Sequence, residues 1–381
     1  MRREVSDPRG DWAQIIESQG LAYHRTSHPE HLTRPYWDES VHYVFGMEEV
    51  LALETVVEEL HAMCLAAVEH VVTTGRYDVF AIPPWVRPLI EASWRRRDPH
   101  LYGRFDLCYD GEGPAKLLEY NADTPTALVE SSIVQWYWLR DVFPEDDQWN
   151  SVHERLVDRW KEIAPAAPVH FAWTTEDTSG EELMTVAYLQ ETAEQAGIPG
   201  TAIAMEDVGW HARHERFVDL EESPIRTLCK LYPWEWIVAE PFGRYIPRAA
   251  WIEPLWKMIL SNKALLVVLW ELYPGHPNLL PAFLGTPSSL TSYVRKPLLG
   301  REGASLSIVT PEGSQTTPGE YGAEGFVYQE LCPLPEFGGE HPVLGAWVVG
   351  DESAGLGIRE TSGLITDDTS SFVPHRIETA R

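Results

Sequence analysis

The chain has 381 residues, and 30 Lys and Arg against 58 Asp and Glu leave a formal charge of −28. That charge repels a phosphate backbone and an anionic bilayer, which disfavours nucleic-acid and membrane-surface binding; solubility, or steering of a cationic substrate, accounts for it. Hydrophobic residues at 44% and charged residues at 23% are ordinary for a globular protein, and a chain of this length buries roughly 75% of its unfolded surface without a disulfide or metal staple.

Taken in chain order, the first residues, from Met1-Arg2-Arg3-Glu4 through Gly10-Asp11, hold no apolar run of the kind a signal peptide needs. His24, His28 and His31 read as a polar loop rather than a metal site. Over 47–73 the apolar residues Val50, Leu51, Leu53, Val56, Val57, Leu60, Met63 and Cys64 recur at helical spacing, with Gly75 placed to end the helix. Pro83, Pro84 and Pro88 interrupt the pattern. Residues 102–121 read as a hairpin, and 126–140 and 151–163 as helices, the first with Thr124 or Thr126 near its start. After Pro165 the texture changes. A buried-type strand over 169–173, a helix over 181–196 closed by Gly197-Ile198-Pro199, and a strand over 201–205 give a β-α-β pattern. This predicts a small inserted α/β subdomain over 165–231. Helices follow over 251–272, then strands over 292–297, 304–309, 324–331, 343–350 and 354–360. The fold class is α+β. The longest apolar stretch, 264–270, is far too short to span a bilayer. Cys64, Cys108, Cys229 and Cys332 are scattered with no CxxC pair or zinc spacing, which predicts a reduced, cytoplasmic setting.

The hairpin carries the chemistry. Its two runs, 102–109 and 116–121, flank the turn-forming Asp110-Gly111-Glu112-Gly113-Pro114. Pairing them antiparallel with Asp110 opposite Ala115 sets Arg104 against Asn121 and Asp106 against Glu119. Side chains alternate along a strand, so all four project from one face as adjacent cross-strand pairs. Phe105, Leu107, Tyr109, Leu118 and Tyr120 then share the other face and can pack on a core. Register is set by that apolar side, unless a bulge intervenes. Asp, Glu and Asn oxygens in one patch suit Mg²⁺ bridging substrate phosphates, and an adjacent Arg suits a developing oxyanion. Cross-strand ion pairs on a solvated face are the plainer account of the same pattern. Against that account stands the polar loop Asn121-Ala122-Asp123-Thr124-Pro125-Thr126, directly after the patch.

The segment from Lys116 to Thr126, KLLEYNADTPT, resembles the signature of the glutathionylspermidine synthase family, in its synthetase domain. Further segments fit that family in the same order: Arg34-Pro35-Tyr36-Trp37, Tyr232-Pro233-Trp234-Glu235-Trp236, Glu253-Pro254-Leu255-Trp256-Lys257 and Ser261-Asn262-Lys263. Lys296-Pro297-Leu298-Leu299-Gly300-Arg301-Glu302-Gly303-Ala304 and Ala354-Gly355-Leu356-Gly357-Ile358-Arg359-Glu360 complete the series. The resemblance implies an ATP-grasp-like synthetase, one unit over 1–381, with a lysine- and glycine-rich region at 260–360 covering the nucleotide. The implied activity is an ADP-forming acid–amine ligase that activates a carboxylate as an acyl phosphate. Its partners would be a peptide- or glutathione-like acid and a polyamine-like amine, with ATP and Mg²⁺ as cofactors.

The same resemblance assigns roles. Asp106, Glu119 and Asn121 would hold the metal, and Arg104 would stabilise the acyl centre. Lys263 and Lys296 would contact ATP, with Gly303 in a covering loop and Gln329 and Glu330 on the adenine side. Taken alone, Lys263 reads as an exposed helix lysine. Thr124, Thr126, Glu181, Glu182, Lys230, Arg301 and Arg359 are candidate substrate contacts, although Glu181 and Glu182 also suit a helix start electrostatically. Asp367 and Asp368 are candidates for a cation-binding rim. No amidase signature surrounds any cysteine, so a stand-alone synthetase without amide hydrolysis is expected. No G-x-S-x-G or P-loop is present. The competing function is a non-catalytic relative that binds a nucleotide or another small molecule.

Overall fold

The computed structural model describes residues 1–25, 35–367 and 369–379. A five-stranded antiparallel sheet lies at the centre, in the order Ser371–Val373, Glu352–Thr361, His341–Val349, Tyr102–Cys108, Lys116–Asn121. Its last two strands are the predicted hairpin. Behind the sheet runs the long helix Met47–Thr74, whose buried stripe includes Val50, Leu53, Val57, Leu60, Cys64, Ala67, Val68 and Val71. Leu51, assigned to that stripe by its spacing, is exposed instead. Gly75, at φ 69°, ends the helix in the left-handed conformation that glycine adopts without steric cost. The apolar helix Ala264–Leu272 packs beside it.

The inserted α/β unit is a four-stranded parallel sheet, ordered Ala250–Ile252, Thr227–Leu231, Val169–Trp173, Gly200–Ala204. Helix Glu181–Gln195 makes the crossover between the last two strands. Its fourth strand, Ala250–Ile252, was expected to be helical. It lies beyond the predicted 165–231 boundary because a parallel partner must come from a distant crossover. A second antiparallel sheet, Ala282–Leu284, Phe326–Glu330, Tyr293–Pro297, Ser307–Thr310, Gly313–Thr316, forms the opposite wall. The 260–360 stretch is therefore divided. Its first part builds this wall, and its last two strands belong to the central sheet. A small sheet of Arg2–Val5, Val41–Phe45 and His375–Ile377 ties the two ends of the chain together. Among the described residues, no helix is long and apolar enough to cross a membrane.

The helix predicted over 126–140 opens with a π-turn, Glu130–Val134, before continuing as Gln135–Val142. That turn buries Glu130, Ser131 and Ser132 against the central sheet. The fit there depends on Gly357. A Cβ at that position would lie 2.4 Å from Ser131 Oγ and 2.9 Å from the Phe372 ring. Gly357→Ala is accordingly expected to destabilise the fold by about 1–3 kcal/mol through overpacking. Urea denaturation of the variant beside the parent measures this, and an unchanged midpoint would show that the π-turn yields without cost.

Candidate active site

The hairpin pairs as the alternation predicts over its inner half: Arg104 opposite Asn121, Phe105 opposite Tyr120, Asp106 opposite Glu119. Beyond Asp106 a bulge shifts the register, so that Leu107 faces Leu117 and Cys108 faces Lys116. Leu117 therefore enters the core, while Leu118, expected on the core face, turns to line the cleft. The bulge falls on the turn side of the four polar residues and leaves them together. Phe105 and Tyr120 stack on the reverse face at 3.9 Å between ring centroids.

On the polar face the charges interlock. Arg104 Nε donates to Asp106 Oδ1 at 2.8 Å, and its Nη1 donates to the Thr126 carbonyl at 2.6 Å. Arg359, from the next-but-one strand, donates through Nη2 to Asp106 Oδ2 at 2.8 Å. Both reach the acid because the strand between them carries glycine where a side chain would stand in the way. A Cβ on Gly345 would come within 2.9 Å of Arg104 Cδ. Asn121 Nδ2 lies 3.3 Å from Asp106 Oδ2 and 3.2 Å from Glu119 Oε1. Lys263 Nζ stands 3.2 Å from Glu119 Oε2 and donates to the Gly300 carbonyl at 2.7 Å. Lys296 Nζ donates to the Leu118 carbonyl at 2.8 Å.

These residues floor a cleft of about 510 Å³, within the usual range for small-molecule sites. Burial pushes Glu119 up, but Lys263 and Lys296 outweigh it and hold the carboxyl at about 2. Burial lowers Lys296 to about 8, with Glu119 offsetting part of the loss. At the other end of the cleft, burial and the nearby Glu130 raise Glu181 to about 7. Burial also raises Glu182 to about 7, with Asp177 adding to the effect. The roof is the 299–306 loop. Gly303 sits there at φ 68°, and a Cβ on it would lie 3.0 Å from Ile365 Cγ2 and 3.0 Å from the Thr366 carbonyl, so both its conformation and its packing require glycine.

Of the residues expected in the site, Arg104, Asp106, Glu119, Asn121, Thr124, Thr126, Glu181, Glu182, Lys263, Lys296, Arg301, Gly303 and Arg359 line this one cleft. Lys230 does not. Its side chain is sealed from solvent, with Nζ 2.6 Å from Asp123 Oδ1. Asp123 Oδ2 accepts the Trp234 backbone N–H at 3.0 Å. A strand of the α/β unit thus latches the 121–126 loop, and Lys230 is a positioning residue. Nor do the side chains of Gln329 and Glu330 line the cleft. Gln329 is buried and donates to the Leu117 carbonyl at 2.9 Å, whereas Glu330 is exposed. The strand reaches the cleft just beyond them, through Leu331, Cys332 and Leu334. Asp367 accepts the Thr369 N–H at 3.0 Å within a local turn. Asp368, Arg34, His28 and His31 lie outside the described residues.

Several other cleft residues were given no site role from sequence, although Glu235, Trp236 and Glu302 stand in the family-like segments. Asp177, Glu235, Trp236 and Glu302 add charge and an aromatic wall. Arg301 Nη2 donates to Thr124 Oγ1 at 3.0 Å, and its guanidinium lies 5.6 Å from the Trp236 ring centre. Glu130 is fully buried beneath the acidic end, where Tyr23 and Tyr36 both donate to its Oε1. A lone acid among Leu128, Val129, Ile133 and Val134 was its available signal.

The family described as "Glutathionylspermidine synthase preATP-grasp" matches residues 3–378. The chain belongs to that family. A Haemophilus influenzae protein provisionally named as an acid–amine ligase is 40% identical, over 98% of this chain and 99% of its own length. Trypanothione synthetase of Crithidia fasciculata is 29% identical over 84% of this chain. The bifunctional glutathionylspermidine synthetase/amidase of Escherichia coli is 27% identical over 83% of this chain. The alignments take in only 54% and 56% of those two longer proteins. Among solved structures, a glutathione synthetase-like effector from Globodera pallida has a TM-score of 0.56 over 98% of both chains at 11% identity, a likeness of fold. The α+β, ATP-grasp-type architecture expected of the family is thus present.

The latch can be tested apart from chemistry. Removing one member of a buried ion pair strands the other, at a cost of about 3–5 kcal/mol. Lys230→Met is expected to lose that much stability in urea, and adding Asp123→Leu should recover part of it. Strict additivity of the two losses would show that the groups do not act as a pair.

Proposed function

We propose that the chain is an ATP-dependent acid–amine ligase that activates a carboxylate as an acyl phosphate, releases ADP, and passes the acyl group to an amine. The observation that carries this reading is the convergence of Arg104, Arg359, Lys263 and Lys296 on Asp106, Glu119 and Asn121 at the floor of one cleft. The donor set, two carboxylates and a carboxamide, fits Mg²⁺, which prefers oxygen and shares substrate phosphates. Asp106, Glu119 and Asn121 are the residues that would hold it. Magnesium there would neutralise charge on the transferring phosphoryl group.

The protein side of the work follows from charge. Each acid already faces a cation, so a nucleotide entering with its metal exchanges ion-pair partners rather than leaving buried charge bare. Lys263 and Lys296 then supply point charges to phosphate oxygens. Arg104, held by the Thr126 carbonyl and braced over Gly345, can keep its guanidinium facing the acyl centre. The apolar wall of Val294, Ile308, Leu331 and Leu334 suits a nucleotide base. The roof loop through Gly303 would exclude water, protecting the acyl phosphate from hydrolysis.

At the far end, Glu181, Glu182, Asp177 and Glu235 make an acidic recess suited to a polyamine-like substrate. An amine must lose a proton to attack, and a carboxyl near 7 is poised to accept one, as Glu181 and Glu182 are. Arg301 with Thr124 offers a carboxylate-binding pair for a peptide-like acid. The competing reading, a binder without turnover, makes a different prediction for ADP release.

Incubation of the chain with Mg-ATP and panels of acids and amines is expected to release ADP only when both partners are present, with an amide product in the mass spectrum. Glu119→Gln should cut that release by about 100-fold or more while leaving the fold intact. Nucleotide binding without ADP release for any pair would instead indicate a binder. A second expectation concerns pH. Phosphate binding needs Lys296 protonated, so nucleotide affinity should fall as pH rises through about 8, by up to about tenfold for each further unit. Calorimetric titrations across that range test this, and Lys296→Arg should flatten the profile. A parent profile already flat would remove Lys296 from the phosphate site.

A further inference from the structure

The fourteen histidines are dispersed in sequence, yet the fold gathers two of them with an acid. His61 lies midway along Met47–Thr74, His100 just before the first hairpin strand, and Asp351 in the turn between the other two central strands. His61 Nε2 is 3.1 Å and His100 Nε2 3.2 Å from the same oxygen, Asp351 Oδ1. All three atoms lie within 4.8 Å of one another. Tetrahedral ligands at about 2.0–2.1 Å from a zinc ion stand roughly 3.4 Å apart, close to the two imidazole–carboxylate spacings.

We propose that His61, His100 and Asp351 form a second divalent-metal site, of zinc type, on the reverse face of the active-site hairpin. The donor chemistry separates it from the oxygen-lined cleft, because two imidazoles and one carboxylate suit zinc and not magnesium. The histidines are 1% and 8% exposed, while the Asp351 side chain is 67% exposed. The site is thus held rigidly from within and open to solvent on one side, where water completes the coordination and the ion enters. Trp256 packs on His100 at 5.3 Å between ring centres and restricts its orientation. An outer partner is present too. The Tyr120 hydroxyl lies 3.1 Å from His61 Nδ1, placed to fix the tautomer that leaves Nε2 for metal.

Tyr120 gives the site its consequence. It stands between Glu119 and Asn121 on one strand, facing the opposite way. Metal bound here would pin the long helix, the start of the hairpin and the 350–351 turn to the back of the strand that carries Glu119 and Asn121. Asp351 accepting one hydrogen bond from each imidazole produces the same spacing without an ion, so the test must detect the ion itself.

The full chain, stripped with chelator and dialysed against zinc chloride without ATP, is expected to retain one zinc per chain and to melt at a higher temperature. Asp351→Ala, on an exposed turn, should weaken zinc binding by about 100-fold or more, and Tyr120→Phe by about tenfold, in line with the loss of a ligand and of an outer-shell partner. Cobalt substitution should give a visible spectrum without a thiolate charge-transfer band. Zinc retained equally by the parent and Asp351→Ala would overturn the proposal. So would no retention by the parent, or a thiolate band, which would place the metal at Cys108 and Cys332, whose sulfurs lie 3.0 Å apart. Because the readout is metal content and not turnover, it is independent of the ligase reading.

Discussion

Three antiparallel partners, Arg104 with Asn121, Phe105 with Tyr120 and Asp106 with Glu119, decide which hairpin side chains face the cleft and which face the core. A one-residue slip would send Arg104 and Asp106 into the apolar layer behind the sheet and bring Phe105 into the cleft. The Phe105–Tyr120 stack and the buried Leu107 resist that slip. The bulge after Asp106 absorbs the irregularity of the turn without passing it inward. Everything else at the cleft floor, including the Arg359 contact and the approach of Lys263, presumes that alignment.

Around this floor the structure handles charge by pairing. A chain with a net charge of −28 places several of its cations, Arg104, Arg359, Lys263 and Lys296, within one cleft. Asp106 is shared by two guanidiniums, and Glu119 is held ionised by two lysines. For Glu181 and Glu182, at the opposite end, burial outweighs the help of Arg104 and Arg301, and lifts both carboxyls toward neutrality. One cleft therefore presents a cation-rich end suited to phosphates and an acid-rich end suited to amines. Its two walls are set by different sheets. The inserted parallel sheet contributes through the Lys230–Asp123 latch, which holds the 121–126 loop at the join.

Much of the site was legible because short-range rules apply to it. Strand alternation aligned four polar residues separated by a five-residue turn, and the glycine-bearing run at 300–303 marked the roof. Lys230 shows where such reading fails. It sits in a strand like other candidates, and only the packing of that strand against Asp123 reveals that its ammonium is spent on holding a loop. Gln329 fails for a related reason, since its direction depends on which neighbour the strand pairs with. Leu118 was misplaced by a single bulged residue. Glu130, buried under the acidic end, carried only the faint mark of a lone acid with apolar residues on either side of it and two serines.

The hairpin face, the long helix, the β-α-β insertion and the family are written in residue order, because periodicity and contiguous motifs are local properties of a chain. The fourth strand of the insertion, the division of 260–360 between two sheets, and the meeting of His61, His100 and Asp351 emerge only in the folded molecule. Those depend on contacts between residues tens to hundreds of positions apart. No local pattern encodes such contacts; they arise only when separate apolar faces are buried together.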